Sequence, residues 1–104
     1  MKHSDPAVLE ALDLAWDDED GVLGKLRDGQ FDAALAEGYV RLLHGIEIEE
    51  GAALHADFVR LVWFAPLFSE WQIPRVAENG GDAREASNFS DKIRERVMEL
   101  LGAP

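Results

Sequence analysis

Apolar residues recur at intervals of three and four along almost the whole of this chain, and the only alternating stretch, residues 45–49, is very short. That period keeps one face of an α-helix apolar and leaves nothing for a sheet to bury. Glycines and prolines cut the pattern into separate stretches. Val8, Leu9, Leu12, Ala15 and Trp16 share a face behind Ser4 or Asp5 as cap, with Pro6 in the first turn, where a missing N–H costs nothing. Val22, Leu23 and Leu26 make a short helix that Gly29 terminates. Phe31, Ala34, Leu35, Tyr39, Leu42 and Leu43 make a third, which stops at Gly45. Leu54, Phe58, Leu61, Val62 and Ala65 form the strongest stripe, and Pro66 should kink or end that helix near Phe64 or Ala65. Residues 72–88 hold Pro74 and Asn79-Gly80-Gly81 and read as a loop. Ser90 then caps a last helix burying Ile93, Val97, Leu100 and Leu101. The expected fold is all-α, a small antiparallel bundle of four to five helices forming a single domain over residues 1–104. A chain of this length buries about two-thirds of its unfolded surface, so it needs no disulfide or metal to hold together.

Charge is distributed far less evenly than apolarity. Residues 1–57 carry 14 acids and 4 bases, a balance of −10, whereas residues 58–104 carry 7 and 6, a balance of −1. Like charges repel in the compact state, so a field this lopsided is costly to keep. It serves solubility or meets something basic. The densest clusters are Asp17, Asp18, Glu19 and Asp20, then Glu47, Glu49 and Glu50. As carboxylate surfaces they would imitate a nucleic-acid backbone and dock on a Lys/Arg-lined groove, with fast, salt-sensitive association. Combined reversal of the first four should weaken that association and leave the fold intact. Nucleic acid itself is excluded as a partner, because phosphate repels a chain of net charge −11.

Motifs for chemistry are missing. There is no cysteine, hence no disulfide framework, thiolate metal site or thiol nucleophile, in keeping with a reducing compartment. If Gly21 were the sixth residue of a calcium loop, Trp16 and Arg27 would stand where the first and twelfth ligands belong, and neither can ligate. His3, His44 and His55 have no metal-ligand spacing and read as structural, with His3 mobile near a terminus. Ser69, Ser87 and Ser90 lack a nucleophile-elbow context, and no phosphate-binding loop is present. The expectation is no enzyme, no catalytic residue, no metal and no cofactor. The start of the chain turns acidic within a few residues, and its longest apolar stretch, residues 61–68, is too short for a bilayer. A soluble, cytoplasmic protein with no membrane partner is expected.

That apolar stretch raises a different question. Trp63, Phe64, Leu67 and Trp71 surround a helix on every side, and a small bundle can bury only one stripe of it. Either neighbouring helices and the 72–88 segment cover this run, or some of these side chains remain at the surface, where a tryptophan beside Glu70 would anchor an interface. A homodimer contact is another use of the same residues.

Residues 23–32, Leu-Gly-Lys-Leu-Arg-Asp-Gly-Gln-Phe-Asp, run on into a helix through Gly38-Tyr39-Val40-Arg41-Leu42. Residues 61–68 follow as an apolar middle helix, and Asn88-Phe89-Ser90-Asp91-Lys92-Ile93-Arg94 opens a closing helix to Leu101. This order resembles the colicin D-type bacterial immunity proteins over about residues 22–101. The helix before it and the Pro66 break have no counterpart in that pattern. The resemblance implies a four-helix bundle that binds a toxin nuclease made by the same cell, presenting acids to a basic, tRNA-binding cleft. With the charge map, it yields the leading expectation: an acidic immunity protein or antitoxin that occludes a basic toxin domain. Asp17, Asp18, Glu19, Asp20, Glu47, Glu49 and Glu50 would steer and pair, and Trp63, Glu70 and Trp71 would form a further patch. A homo-oligomeric adaptor, and a phage-type DNA mimic acting on a host nuclease, are the competing expectations.

Overall fold

A computed structural model describes residues 1–102 and 104. The helices are α1 (Pro6–Leu14), α2 (Val22–Arg27), α3 (Ala33–His44), α4 (Ala56–Val62), α5 (Ala65–Glu78) and α6 (Ala83–Leu101). Only Trp63 and Phe64 separate α4 from α5, so the two read equally as one bent rod, which makes five helices. The architecture is a small all-α bundle. A single parallel bridge, Lys2 with Glu47, is the only β pairing among the described residues.

The longest helix, α6, organises the rest. It packs along α5 and α3, while α1 lies on α4 and α2 on α5. Its inner stripe of Ala86, Phe89, Ile93 and Val97 meets Tyr39 and Leu43 of α3 and Phe68 and Val76 of α5. Ser69 and Ser90 are the polar residues of this seam. Their hydroxyls lie 3.1 Å apart, and Ser69 donates to the Pro66 carbonyl at 2.9 Å, so neither is buried unpaired.

Three expectations need correction here. Residues 72–88 are largely helical: α5 runs through Pro74 to Glu78, and α6 has begun by Ala83. Pro74 is tolerated because the carbonyl it frees belongs to Glu70, and both residues are exposed, so water can serve that carbonyl. The cap of the last helix is Asp82, whose carboxylate accepts from the amides of Arg84 and Glu85, while Ser90 sits in mid-helix. The N-terminal residues are anchored, His3 among them. His3 is buried, accepts from the His55 amide at Nε2 (3.0 Å) and stands edge-on to Phe58. His55 in turn caps α4, its Nδ1 accepting from the Asp57 amide.

Other local choices follow the sequence. Asp32 caps α3 by accepting from the Leu35 amide, which together with Lys25 at 3.3 Å holds its carboxyl below the usual range. Pro66 lies in the first turn of α5, where no amide is needed. Gly29, with φ of 76°, turns the chain out of α2 and lies under Asn79, whose side chain donates to the Asp28 and Gly29 carbonyls.

Candidate interaction surface

Both acidic clusters lie at the surface, but the fold uses them differently. Residues 17–20 form the tight turn from α1 into α2. The Asp17 carboxylate accepts from the amides of Glu19 (3.1 Å) and Asp20 (2.9 Å), an Asx arrangement that closes the turn on itself. Asp18 pairs with Arg27 at 3.0 Å. The turn also sits tightly on α2: a Cβ at Gly24 would lie 1.9 Å from the Asp17 carbonyl oxygen. Two of the four acids therefore have a structural job, and their combined reversal would disturb the fold as well as any partner.

The loop after α3 is built the other way round. Its backbone is held from several sides: the Met1 amine donates to the Gly45 carbonyl (3.0 Å), the Glu47 amide to the Met1 carbonyl (2.6 Å), and the His3 amide to the Glu47 carbonyl (3.2 Å). From α6, Arg96 adds Nε to the Leu43 carbonyl (3.0 Å) and a second nitrogen to the Ile46 carbonyl (2.8 Å). Ile46 is fully buried as the loop's anchor. The carboxylates of Glu47, Glu49 and Glu50 enter no ion pair or hydrogen bond among the described residues. Backbone contacts fix this loop as far as Glu47, a turn bond from the Ala52 amide to the Glu49 carbonyl follows, and all three glutamates are exposed.

The aromatic residues form the third component. Trp63 (52% exposed), in the link before α5, lines an apolar groove with Leu67 (45%) of α5 and Met98 (52%) of α6; Glu70 lies at its edge, and Trp71 (61%) is exposed on α5. Phe64 beneath is half-buried, its ring centroid 5.3 Å from that of Trp63 and 5.4 Å from that of Trp71. Trp16 stacks on Phe64 and lies 5.2 Å from Phe68, with its indole N–H donating to the Leu61 carbonyl. Arg27, the partner of Asp18, covers the other ring of this group, Phe68, at 5.6 Å.

These contacts join the pieces in a definite order. The 17–20 turn reaches the tryptophan face through Trp16, Arg27, Phe64 and Phe68. The glutamate loop reaches it through the end of α6. A groove lined by Trp63, Pro66, Leu67, Val97 and Met98, and a cleft lined by Glu47, Glu49, Glu50, Arg96 and Glu99, share Leu101 and Gly102. Sequence reading did not single out Arg96, because its role depends on the Leu43 and Ile46 carbonyls, about 50 residues away in the chain.

Among the described residues, no three His, Asp or Glu side chains converge to hold a metal ion, and no helix is long and apolar enough to cross a membrane. A separate shallow groove between α3 and α6 carries Glu37, Glu85 and Lys92, of mixed sign. The one buried polar side-chain atom without a partner among the described residues is the Tyr39 hydroxyl, and burial pushes that phenol's titration upward. No family model, curated protein or solved structure matches the chain.

Proposed function

We propose that this protein is a stoichiometric inhibitor, an immunity protein or antitoxin of the cytoplasm, that occupies the basic active-site cleft of a cognate toxin nuclease. The observation that carries the reading is a loop whose three glutamates are presented without internal partners, beside an exposed tryptophan face. Carboxylates on a fixed backbone can enter a cleft shaped for phosphates, and the aromatic face supplies the desolvated contact that turns steering into affinity. Inhibition would follow from occlusion, with no covalent step and no cofactor.

Salt-graded affinity capture from the native cell, followed by a nuclease assay on the released protein, tests this reading. A basic protein held one-to-one, weakened by salt and inactive until released, is the expected result. Recovery of the bait alone, as a dimer, would overturn it in favour of a homo-oligomeric adaptor.

A further inference from the structure

The C-terminal end of α6 is where the apolar face and the unpartnered glutamates meet, and the charges there are of one sign. A helix of 19 residues brings the negative pole of its dipole to Leu101, and its last turn contains Glu99 and no base. Met98 has its carbonyl capped by the Gly102 amide. The cleft beside this pole is walled by Glu47, Glu49, Glu50 and Glu99, against a single base, Arg96. Arg96 is already committed, its three nitrogens bonded to the Leu43 and Ile46 carbonyls and to Glu99. The adjoining groove is apolar, and its one base, Arg94, is paired with Asp91 at 3.2 Å. Of the seven large apolar side chains exposed among the described residues, three (Trp63, Leu67 and Met98) line this groove, and Trp71 is linked to it through Phe64.

We propose that this end of the molecule is a two-compartment docking site for a cationic amphipathic helix of the partner protein. The partner's apolar stripe lies on Trp63, Leu67 and Met98, and an arginine or lysine flanking that stripe enters the cleft between the glutamate loop and the last carbonyls of α6. Complementarity selects this occupant. Nucleic acids and anionic lipid surfaces are repelled by the same carboxylates. A second copy docked about a two-fold axis would bring two anionic clefts together, with no base free in either cleft to compensate. A cationic helix satisfies both compartments, and its arginines also find the faces of Trp63 and Trp71. The site rests on the inhibitor reading only for the identity of the partner.

The test is a heteronuclear NMR titration of the full chain with a synthetic amphipathic helix of about 18 residues, leucine on one face and arginine on the other. The chain has three tryptophans, so the indole signals form a built-in map. Those of Trp63 and Trp71 should shift to saturation, with the amides of residues 47–50 and 99–102. The Trp16 indole, bonded to the Leu61 carbonyl, should hold still. Leu67→Asp, at an exposed position, should weaken binding about tenfold with an unchanged thermal melt, and a peptide with glutamate in place of arginine should not bind.

No saturation by about 1 mM peptide, largest shifts on the 17–20 turn or the α3–α6 groove, or equal binding of the glutamate peptide would each overturn the site. Indole shifts that depend on protein concentration alone would assign the face to a second copy instead. Failure of the inhibitor reading looks different: the peptide maps as described, yet no nuclease is inhibited. Conversely, a nuclease blocked equally by wild type and Leu67→Asp removes the site and leaves that reading standing.

Discussion

The two acidic segments look alike as strings of letters and differ in what the fold has done with them. In the 17–20 turn the side chains work inward: Asp17 closes the turn, Asp18 holds Arg27, and Gly24 lets α2 approach the Asp17 carbonyl. In the 46–50 loop the backbone does the holding, through Met1, His3 and Arg96, and the carboxylates are left over. Density of charge thus marks where acids are, whereas availability depends on what already faces them. An acid that satisfies a neighbouring amide or guanidinium cannot be given to a partner without loosening its own segment.

The difference can be broken by substitution, beginning where the largest effect is expected. Gly24→Ala drives a methyl into the Asp17 carbonyl, and backbone cannot yield as a flexible side chain would. It should cost about 3 kcal/mol in a denaturant melt. A cost below about 1 kcal/mol would mean that the turn and α2 are not clamped together. Arg96→Ala removes the guanidinium that ties α6 to the Leu43 and Ile46 carbonyls and should cost about 2 kcal/mol. Arg96→Lys should recover little, because an ammonium cannot reproduce the fork that spans both carbonyls. Full recovery by lysine would show that charge alone, and not the fork, holds the loop.

Asp17→Ala should cost about 1 kcal/mol, for two lost bonds at an exposed site. Glu47, Glu49 and Glu50 changed together to Gln should stay within about 0.5 kcal/mol of wild type. Thermal melts of the two variants side by side give the contrast directly, and equal losses would erase it.

Tyr39 sharpens the picture from the interior. Its unpaired hydroxyl is costly, so Tyr39→Phe should stabilise the fold by about 1 kcal/mol. Burial raises the phenol's titration, so the folded chain keeps the proton where the unfolded chain releases it. This contribution is intact below about pH 10 and should then fall by about 1.4 kcal/mol per pH unit as pH rises. The chain has a single tyrosine, so the phenylalanine variant should lack that component altogether. An identical alkaline profile in both proteins would show that the hydroxyl is bonded or hydrated in solution.

Much of the fold was legible because helical periodicity and glycine stops are local signals. The short α2, the end of α3 at Gly45 and the break before Pro66 all lie where those signals place them. The 72–88 segment was not, because Pro74 and the Asn-Gly-Gly run each break helices on average, while the exposure that excuses Pro74 is a tertiary property. A subtler signal was present at its far end. Asp82 followed three residues later by Glu85 has the spacing of a capping box, and it marks the true start of α6. His3 was misjudged for a related reason, since its place depends on His55 and Phe58, more than 50 residues away. Arithmetic raised the question of exposed tryptophans, with too many apolar residues for one buried stripe, but whether neighbouring helices cover Trp63 and Trp71 is a tertiary property, and they do not. Which acids were spoken for was not legible either, because that depends on where Arg27, Arg96 and the backbone amides come to rest.

The most direct measurement compares the affinity of the arginine-leucine helix for two variants across a salt series. One carries Gln at positions 47, 49 and 50; the other carries Asp18→Asn, Glu19→Gln and Asp20→Asn, with Asp17 kept to spare the turn. The loop variant should bind about tenfold more weakly with a flatter salt dependence, and the turn variant should stay within about threefold of wild type. The reverse ranking would contradict the account, placing the partner on the 17–20 turn and leaving the end of α6 as an ordinary solvated surface.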